Sequence, residues 1–416
     1  MSTPPLAGCR VIELGTMLAA PFASHILSQL GAEVIKIESP RGDPTRLLVR
    51  GGPSGTLIAY SHGKKSVCID LSKEGGKQAF RALLASADVF VHNLAPKAAI
   101  KLGVSREDCA RVNPELIYCH IRGYGAGPQA DDLASNPVAE ASTGVMEGNR
   151  VNGRPSRLGP SYHDQFAGAY AVIGVLSSLL QKQAGRYQGE PVEVGLYETG
   201  LHVASRDLVG VQLKTHLLGR PEREPHGEFS MPGYGAYKTA DDRWLYLLML
   251  TDGHWLKFCK ALGLPQAEDE SLYTLRDRKK AQEQVEAIVQ EAIAAYPLEE
   301  VEARLKAAGV GCTEVLPLER VLDAEQARWP GKLRPVQFRG LDFDVPEFPW
   351  LSAGDTSTQS LPPPELGEHT LELLRSAGLD EQECQRLIAE GAVQTHDPDA
   401  FAWAPVRKKT ATAAST

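Results

Sequence analysis

The sequence predicts an α/β protein with a doubly wound, Rossmann-like large domain and a smaller α+β domain. Three observations carry the prediction. Short β-rich runs alternate with helical patterns through the first 122 residues, the signature of a parallel sheet with right-handed crossovers. The composition then shifts to Pro, Gly and charge around residues 218–235, within LGRPEREPHGEFSMPGYGAY (218–237), as at a linker or a site loop. Finally, 416 residues suffice for two or three cores.

The elements follow in order. CRVIEL (9–14) reads as a strand, PFASHILSQLGA (21–32) as a helix and EVIKIE (33–38) as a strand. SVCIDL (66–71), DVFVHN (88–93) and LIYCHIR (116–122) are further strands, separated by the helical patterns KEGGKQAFRALLA and SREDCARV. Ligands of such sheets sit at the carboxyl ends of the strands. That puts the 39–46 loop SPRGDPTR, Asn93 with the following LAPK, and the 123–128 loop GYGAGP at one rim. GYGAGP is followed by PQADDLASNP, a poor helix start, and the first βα turn has a single Gly, so neither meets the dinucleotide fingerprint.

Asp164 heads a long apolar run, SYHDQFAGAYAVIGVLSSLLQ, with few charges around it. The spacing predicts a helix over 166–181 with Asp164 as its N-cap, and Phe166, Ala169, Tyr170, Ile173, Val175, Leu176, Leu179 and Leu180 on its buried face. GRYQGEPVEVGL then reads as a turn and strand, and ETGLHVASRDLVGVQL as helical. KTADDRWLYLLML is a strand pair turning at Asp241 and Asp242, followed by helices near 252–262, 276–295 and 297–308, which places a small α+β domain at about 225–325. An extended Pro-rich stretch, two helical patterns (HTLELLRSAG and EQECQRLIAE) and a low-complexity tail, KKTATAAST, complete the chain.

The net charge is -8, which argues against nucleic acid or an anionic membrane as the main partner, since both require a basic face. Seven scattered cysteines form no C-x-x-C pair, so the expectation is neither disulfides nor a metal site, and a reducing cytoplasm. The N-terminus shows neither a basic n-region nor an apolar h-region, and no run reaches the length of a membrane span.

Several stretches in fixed order resemble the class III CoA-transferases, the CaiB/BaiF family. They are PLAGCRVIELG, LGAEVIKIESPRGD, HGKKSVCIDL, DVFVHNLAP, NPELIYCHIRGYG, the Asp164 helix, GRYQGEPVEVGLYETG, the GYGAYKTADDRWL hairpin and PELGEHTLELL, from residue 5 to about 393. The resemblance implies a ring-shaped subunit in an interlocked homodimer. It implies a discontinuous large CoA-binding domain (1–215 with 330–416), a small domain (225–325) and linkers at 216–224 and 326–329. It also implies that Asp164 is the nucleophile. No tightly bound cofactor is implied; the CoA thioester is itself the substrate.

By position within the family pattern, Arg41, Ile69, Ser72, Asn93, Leu94 and Lys101 are the expected CoA contacts. CoA carries a pyrophosphate and a 3′-phosphate, which call for Arg or Lys at the rim. Lys101 stands where the oxalate-using relatives carry Arg. Leu18, beside Ala19 in the first βα turn, replaces their Gln, which weakens an oxalate or formate assignment. His226, Gly227 and Glu228 are the candidate lid residues.

The main rival is the branch that racemises α-methylacyl-CoA esters. It needs a His-Asp acid/base pair where this chain has Ser135 and Asn136; His163 is a possible substitute, although a core or orienting role suits it better. Asn136-Pro137 resembles members acting on C4 and C5 or aryl-substituted dicarboxylates, with succinyl-CoA as a common donor. A second carboxylate needs a cation, and Arg154, Arg157 and Arg206 are the candidates. A non-catalytic CoA-binding subunit of a hetero-oligomeric transferase is the third reading.

Overall fold

The computed structural model describes residues 3–49, 52–220, 231–349 and 361–399. The chain forms two units, Met1–Ala204 with Trp329–Thr416, and Ser205–Arg328.

A seven-stranded sheet centres the first unit. Strands β1 (Arg10–Leu14), β2 (Glu33–Glu38), β3 (Lys65–Ile69), β4 (Val89–His92), β5 (Ile117–Arg122) and β6 (Val192–Gly195) are parallel and lie in the order 3-2-1-4-5-6. The two-residue strand Val393–Gln394 pairs antiparallel with β3 and makes the sheet mixed rather than purely parallel. So short a segment leaves no periodic signal, yet it covers an edge that would otherwise stay open.

Both faces of the sheet are buried, so its strands are apolar almost throughout. Val11, Val34, Val89 and Ile117 face helices Ala19–Gln29 and Tyr162–Gln183. Ile12, Ile35, Val67 and Phe90 face helices Glu74–Leu84 and Thr370–Ser376. The exceptions include neutral Ser66, His92 and His120 and a charged cluster made by strand residues Glu13 and Lys36 with Lys64, which directly precedes β3. Glu13, Lys36 and Lys64 are fully buried, with Lys36 Nζ 2.7 Å and Lys64 Nζ 2.8 Å from the two oxygens of Glu13. Burial alone would raise the Glu13 carboxyl, but the two ammonium groups overcome it and hold it down to about 2.

The Asp164 helix differs from expectation in start and in face. It spans Tyr162–Gln183, its N-cap is Ser161 without a side-chain capping bond, and Asp164 is its third residue. The buried face consists of His163, Ala167, Gly168, Ala171, Val172, Val175 and Ser178, while Phe166, Ile173 and Leu180 are exposed. Close packing on helix Ala19–Gln29 selects small residues: a Cβ on Gly168 would stand 2.9 Å from the Ala19 carbonyl oxygen.

Three further differences have local causes. The helical stretch after β6 breaks at Ala204 into Leu196–Val203 and Ser205–Leu218, and the latter falls in the second unit. Helix Asn136–Ser142, absent from the sequence reading, opens at the far end of the non-helical stretch that follows GYGAGP, at Asn136-Pro137, because Pro is well accommodated in a first turn. An antiparallel pair, Leu333–Phe338 with Leu341–Pro346, leads into the Pro-rich return; its turn uses Arg339 and Gly340, both at positive φ, and Arg-Gly lacks the Asn-Gly signal.

The second unit packs helices Asp252–Ala261, Gln282–Ala294 and Leu298–Ala307 on a three-stranded antiparallel sheet, around Leu245, Leu247, Trp255, Phe258 and Ile293. Its Tyr234–Lys238 and Trp244–Leu248 strands pair as a hairpin with Asp242 in the left-handed turn position. The seven cysteines are free thiols. Among the described residues no helix is long and apolar enough to cross a membrane, and no His/Cys/Asp/Glu group could hold a metal ion.

Candidate active site

The order 3-2-1-4-5-6 reverses direction between β1 and β4, and the crevice above such a point is where open α/β sheets bind ligands. Two cavities open here. The larger, about 510 Å3, is lined by Thr16, Leu18, Ala19, Asn93, Asn136, Arg157 and Asp164 among others. The smaller, about 250 Å3, lies over the ends of β1, β2 and β3 and includes Ser39, Asp43, Ile69, Ser72 and Leu102. Leu94 lines both. Its N–H donates to His92 Nδ1 at 3.3 Å and its carbonyl accepts from His120 Nε2 at 2.8 Å. Burial holds both imidazoles below their usual range, hence neutral.

The buried charges beneath β1 shape its turn. Lys36 Nζ donates to Gly15 O at 2.9 Å and pairs with Asp43 at 3.0 Å, while Met17 N–H lies 3.4 Å from Asp43 Oδ1. Met17 is held at φ 63, a conformation L-residues adopt only when the surroundings impose it. Asn93 ties the other side of this turn to the end of β4 through Thr16.

Asp164 is partly buried, three residues into its helix. Burial raises its carboxyl to about 6, with Arg157 opposing the rise and Glu140 adding to it. Capping of the helix falls to another residue: Asn136 Oδ1 accepts from His163 N–H at 2.9 Å and Asp164 N–H at 3.3 Å. The Asp164 carboxylate is therefore not consumed as a cap. His163 is buried, 3.3 Å from Thr143 Oγ1 through Nε2, and burial keeps it neutral.

The remaining candidates divide clearly. Leu18, Ala19, Asn93, Leu94, Asn136 and Asp164 share the larger cavity, and Ile69, Ser72 and Leu94 the smaller. Arg41 is exposed in the turn between Ser39 and Gly42, and Lys101 is exposed on helix Pro96–Leu102; neither lines these two cavities. Arg154 is exposed on a two-residue ladder outside the cavity, and the Arg of this segment that lines it is Arg157. Arg206 belongs to the second unit and pairs with Asp207 at 3.7 Å. His226, Gly227 and Glu228 lie outside the described residues. The sequence reading missed Glu140, Met17 and Arg122. Glu140 stands four residues after Asn136, a spacing that marks a shared helix face, but it reads as a surface acid until its partners are known.

Comparison with known proteins gives the family. The CoA-transferase family III model matches residues 6–370. The (R)-2-hydroxy-4-methylpentanoate CoA-transferase of Clostridioides difficile is 30% identical over 393 residues, covering 91% of this chain and 96% of that protein. The succinyl-CoA–L-malate CoA-transferase beta subunit of Chloroflexus aurantiacus is 31% identical over 393 residues, covering 90% and 94%. The crystal structure of a CaiB/BaiF family protein from Brucella suis superposes with a TM-score of 0.79 at 25% identity, covering 90% of this chain and all of that one. The chain belongs to CoA-transferase family III and is a class III CoA-transferase.

Proposed function

We propose that the protein moves CoA from an acyl-CoA donor, succinyl-CoA among them, to a dicarboxylic acid through covalent intermediates on Asp164. The observation that carries this reading is a carboxylate raised to about 6 in a cavity at the sheet's switch point, ionised at neutral pH yet poorly solvated. Such a group is a competent nucleophile.

The steps balance without an external reagent. Asp164 attacks the donor thioester carbon; the C–S bond breaks, CoA thiolate leaves, and an acyl-aspartyl anhydride remains. The thiolate attacks the Asp164 carbonyl carbon, expelling the donor acid and leaving an aspartyl-CoA thioester. The acceptor carboxylate attacks that carbon and releases the thiolate. The thiolate then takes the acceptor acyl group and frees Asp164. Arg157, together with the positive end of the Tyr162–Gln183 helix dipole, suits the negative charge that builds at each stage.

In this reading the smaller cavity receives the nucleotide end of CoA, over Ile69, Ser72 and Leu94, with Arg41 and Lys101 reaching its phosphates from outside. Arg157 favours an acceptor with a second carboxylate, as in the malate-using relative. Proton exchange at an α-carbon has less support. Asn136, where an acid would be needed, is a non-titrating amide with both ends hydrogen-bonded, and His163 does not line the cavity. The exposed stripe of Phe166, Ile173 and Leu180 supports a homodimer, readable by sedimentation.

The test mixes the protein with succinyl-CoA or acetyl-CoA and a panel of mono- and dicarboxylic acids, and reads acyl-CoA products by mass spectrometry. A new dicarboxylyl-CoA that vanishes in Asp164→Ala supports the reading; undiminished transfer in that variant overturns it.

A further inference from the structure

Glu140 is fully buried and has no part in the reaction described above. It lies on helix Asn136–Ser142, four residues after Asn136, so the two side chains share a face. One Glu140 oxygen accepts from Asn136 Nδ2, and the other accepts from Leu158 N–H at 3.1 Å. Both bonds come from donors, which suits an ionised carboxylate and fixes the Asn136 amide. Turned over, Asn136 would point its NH2 at the N–H groups of His163 and Asp164 instead of accepting from them. Leu158, the second anchor, directly follows Arg157.

We propose that Glu140 is the positioning residue of this site, holding the start of the Asp164 helix through Asn136 and the Arg157 segment through Leu158, so that one buried acid sets carboxylate and guanidinium in register. The inference rests on the reading of Asp164 as nucleophile. It gives Glu140 a role in transfer without contact with substrate.

Glu140→Gln keeps the volume and supplies only one acceptor atom. Its NH2 must face either Asn136 Nδ2 or the Leu158 N–H, so one branch of the relay lets go. Misplacement of this kind is expected to lower kcat about 30- to 100-fold at pH 8 while KM for the acyl-CoA stays within about threefold.

A second readout separates positioning from mere stability. The charges acting on Asp164 are those of Arg157, which lines the cavity with Arg122, Asp131 and Asp132, and of Glu140; buried His163 is neutral. Glu140→Gln removes a negative neighbour and leaves Arg157, so the acid limb of kcat/KM moves to lower pH. Glu140→Asp, which keeps the charge on a shorter arm, is expected to leave the limb near its original place and still lose kcat.

The experiment measures kcat, KM and the pH profile of Glu140→Gln, Glu140→Asp, Asn136→Ala and Asp164→Ala in the full chain, with folding checked by circular dichroism. Asn136→Ala is expected to share the kcat loss, and Glu140→Gln added to it to cost little more through the Asp164 branch. If Glu140→Gln does not fold, Asn136→Ala decides alone. Transfer abolished in Asp164→Ala but unchanged in folded Glu140→Gln, or in Asn136→Ala where that decides alone, overturns this proposal only; transfer surviving in Asp164→Ala overturns the nucleophile reading and this proposal with it.

Discussion

Asn93 closes on the backbone of Thr16 with both ends of its amide: Oδ1 accepts from Thr16 N–H at 3.0 Å and Nδ2 donates to Thr16 O at 2.9 Å. The pair crosses the gap between β4 and β1, so a side chain does there what a backbone ladder does elsewhere in the sheet. Since Thr16, Leu18 and Ala19 line the larger cavity, the pair also fixes one of its walls. Asn93→Ala removes two bonds worth about 1 kcal/mol each. The expected outcome is a roughly tenfold loss of kcat/KM, checked by steady-state kinetics, with stability in urea lowered by no more than about 2 kcal/mol.

Transfer is expected to fail in acid. Asp164 attacks only as the carboxylate, and its carboxyl is raised to about 6, chiefly by burial. The rate should be level above about pH 7 and fall about tenfold per pH unit well below the midpoint. A profile that stays flat down to pH 5 would contradict a raised Asp164.

The same shift has a cost in stability. A carboxyl raised on folding favours the fold below its unfolded value, and that contribution is lost as pH climbs through the folded value of about 6. At pH 8 the charged, partly buried Asp164 therefore weakens the fold. Asp164→Asn should gain about 1–2 kcal/mol at pH 8, after allowance for solvent screening, and almost nothing at pH 4. Urea midpoints at the two pH values measure it, alongside complete loss of transfer.

Arg157 should discriminate among acceptors. It is exposed along the cavity lining, so its grip on a second carboxylate is worth about 1–2 kcal/mol rather than the value of a dry pair. Arg157→Met is expected to raise KM for a dicarboxylate about 5- to 30-fold and to leave monocarboxylates within about twofold. The assay belongs at pH 8, because removing this cation also raises the Asp164 carboxyl. An equal loss for both acid classes would show that Arg157 serves Asp164 and not the acceptor.

What the sequence disclosed, and what it hid, follows from range. The alternation of CRVIEL, EVIKIE, SVCIDL and DVFVHN is local, and so the parallel strands were legible. The position of Asp164 at the head of an apolar run was legible for the same reason. The buried triad of Glu13, Lys36 and Lys64 was not, because its members are 23 and 51 residues apart and each alone reads as a polar strand or turn position. The face of the Asp164 helix was misassigned because hydrophobic size was read as burial. At a close helix crossing, the small residues Ala167, Gly168 and Ala171 go inside, and Phe166, Ile173 and Leu180 stay out.

That crossing makes the last prediction. Gly168 follows Asp164 by one helical turn on the same face, and a Cβ there would stand 2.9 Å from Ala19 O, 3.0 Å from Phe22 Cδ1 and 3.3 Å from Ala23 N. Two of the three neighbours are backbone, so no rotamer change relieves the contact; helix Tyr162–Gln183 must shift away from helix Ala19–Gln29. Two terms then compete in Gly168→Ala. Alanine gains about 1 kcal/mol of helix propensity, and overpacking costs about 1–3 kcal/mol, so net stability falls by no more than about 2 kcal/mol. Activity has no such compensation, because Ala19 and Asp164 line the same cavity and the shift separates them. The expected outcome is a folded protein with kcat lowered about 10- to 100-fold, read by kinetics and urea unfolding on the same sample. A Gly168→Ala protein with wild-type kcat would mean that the helix crossing does not set the distance across which Asp164 attacks.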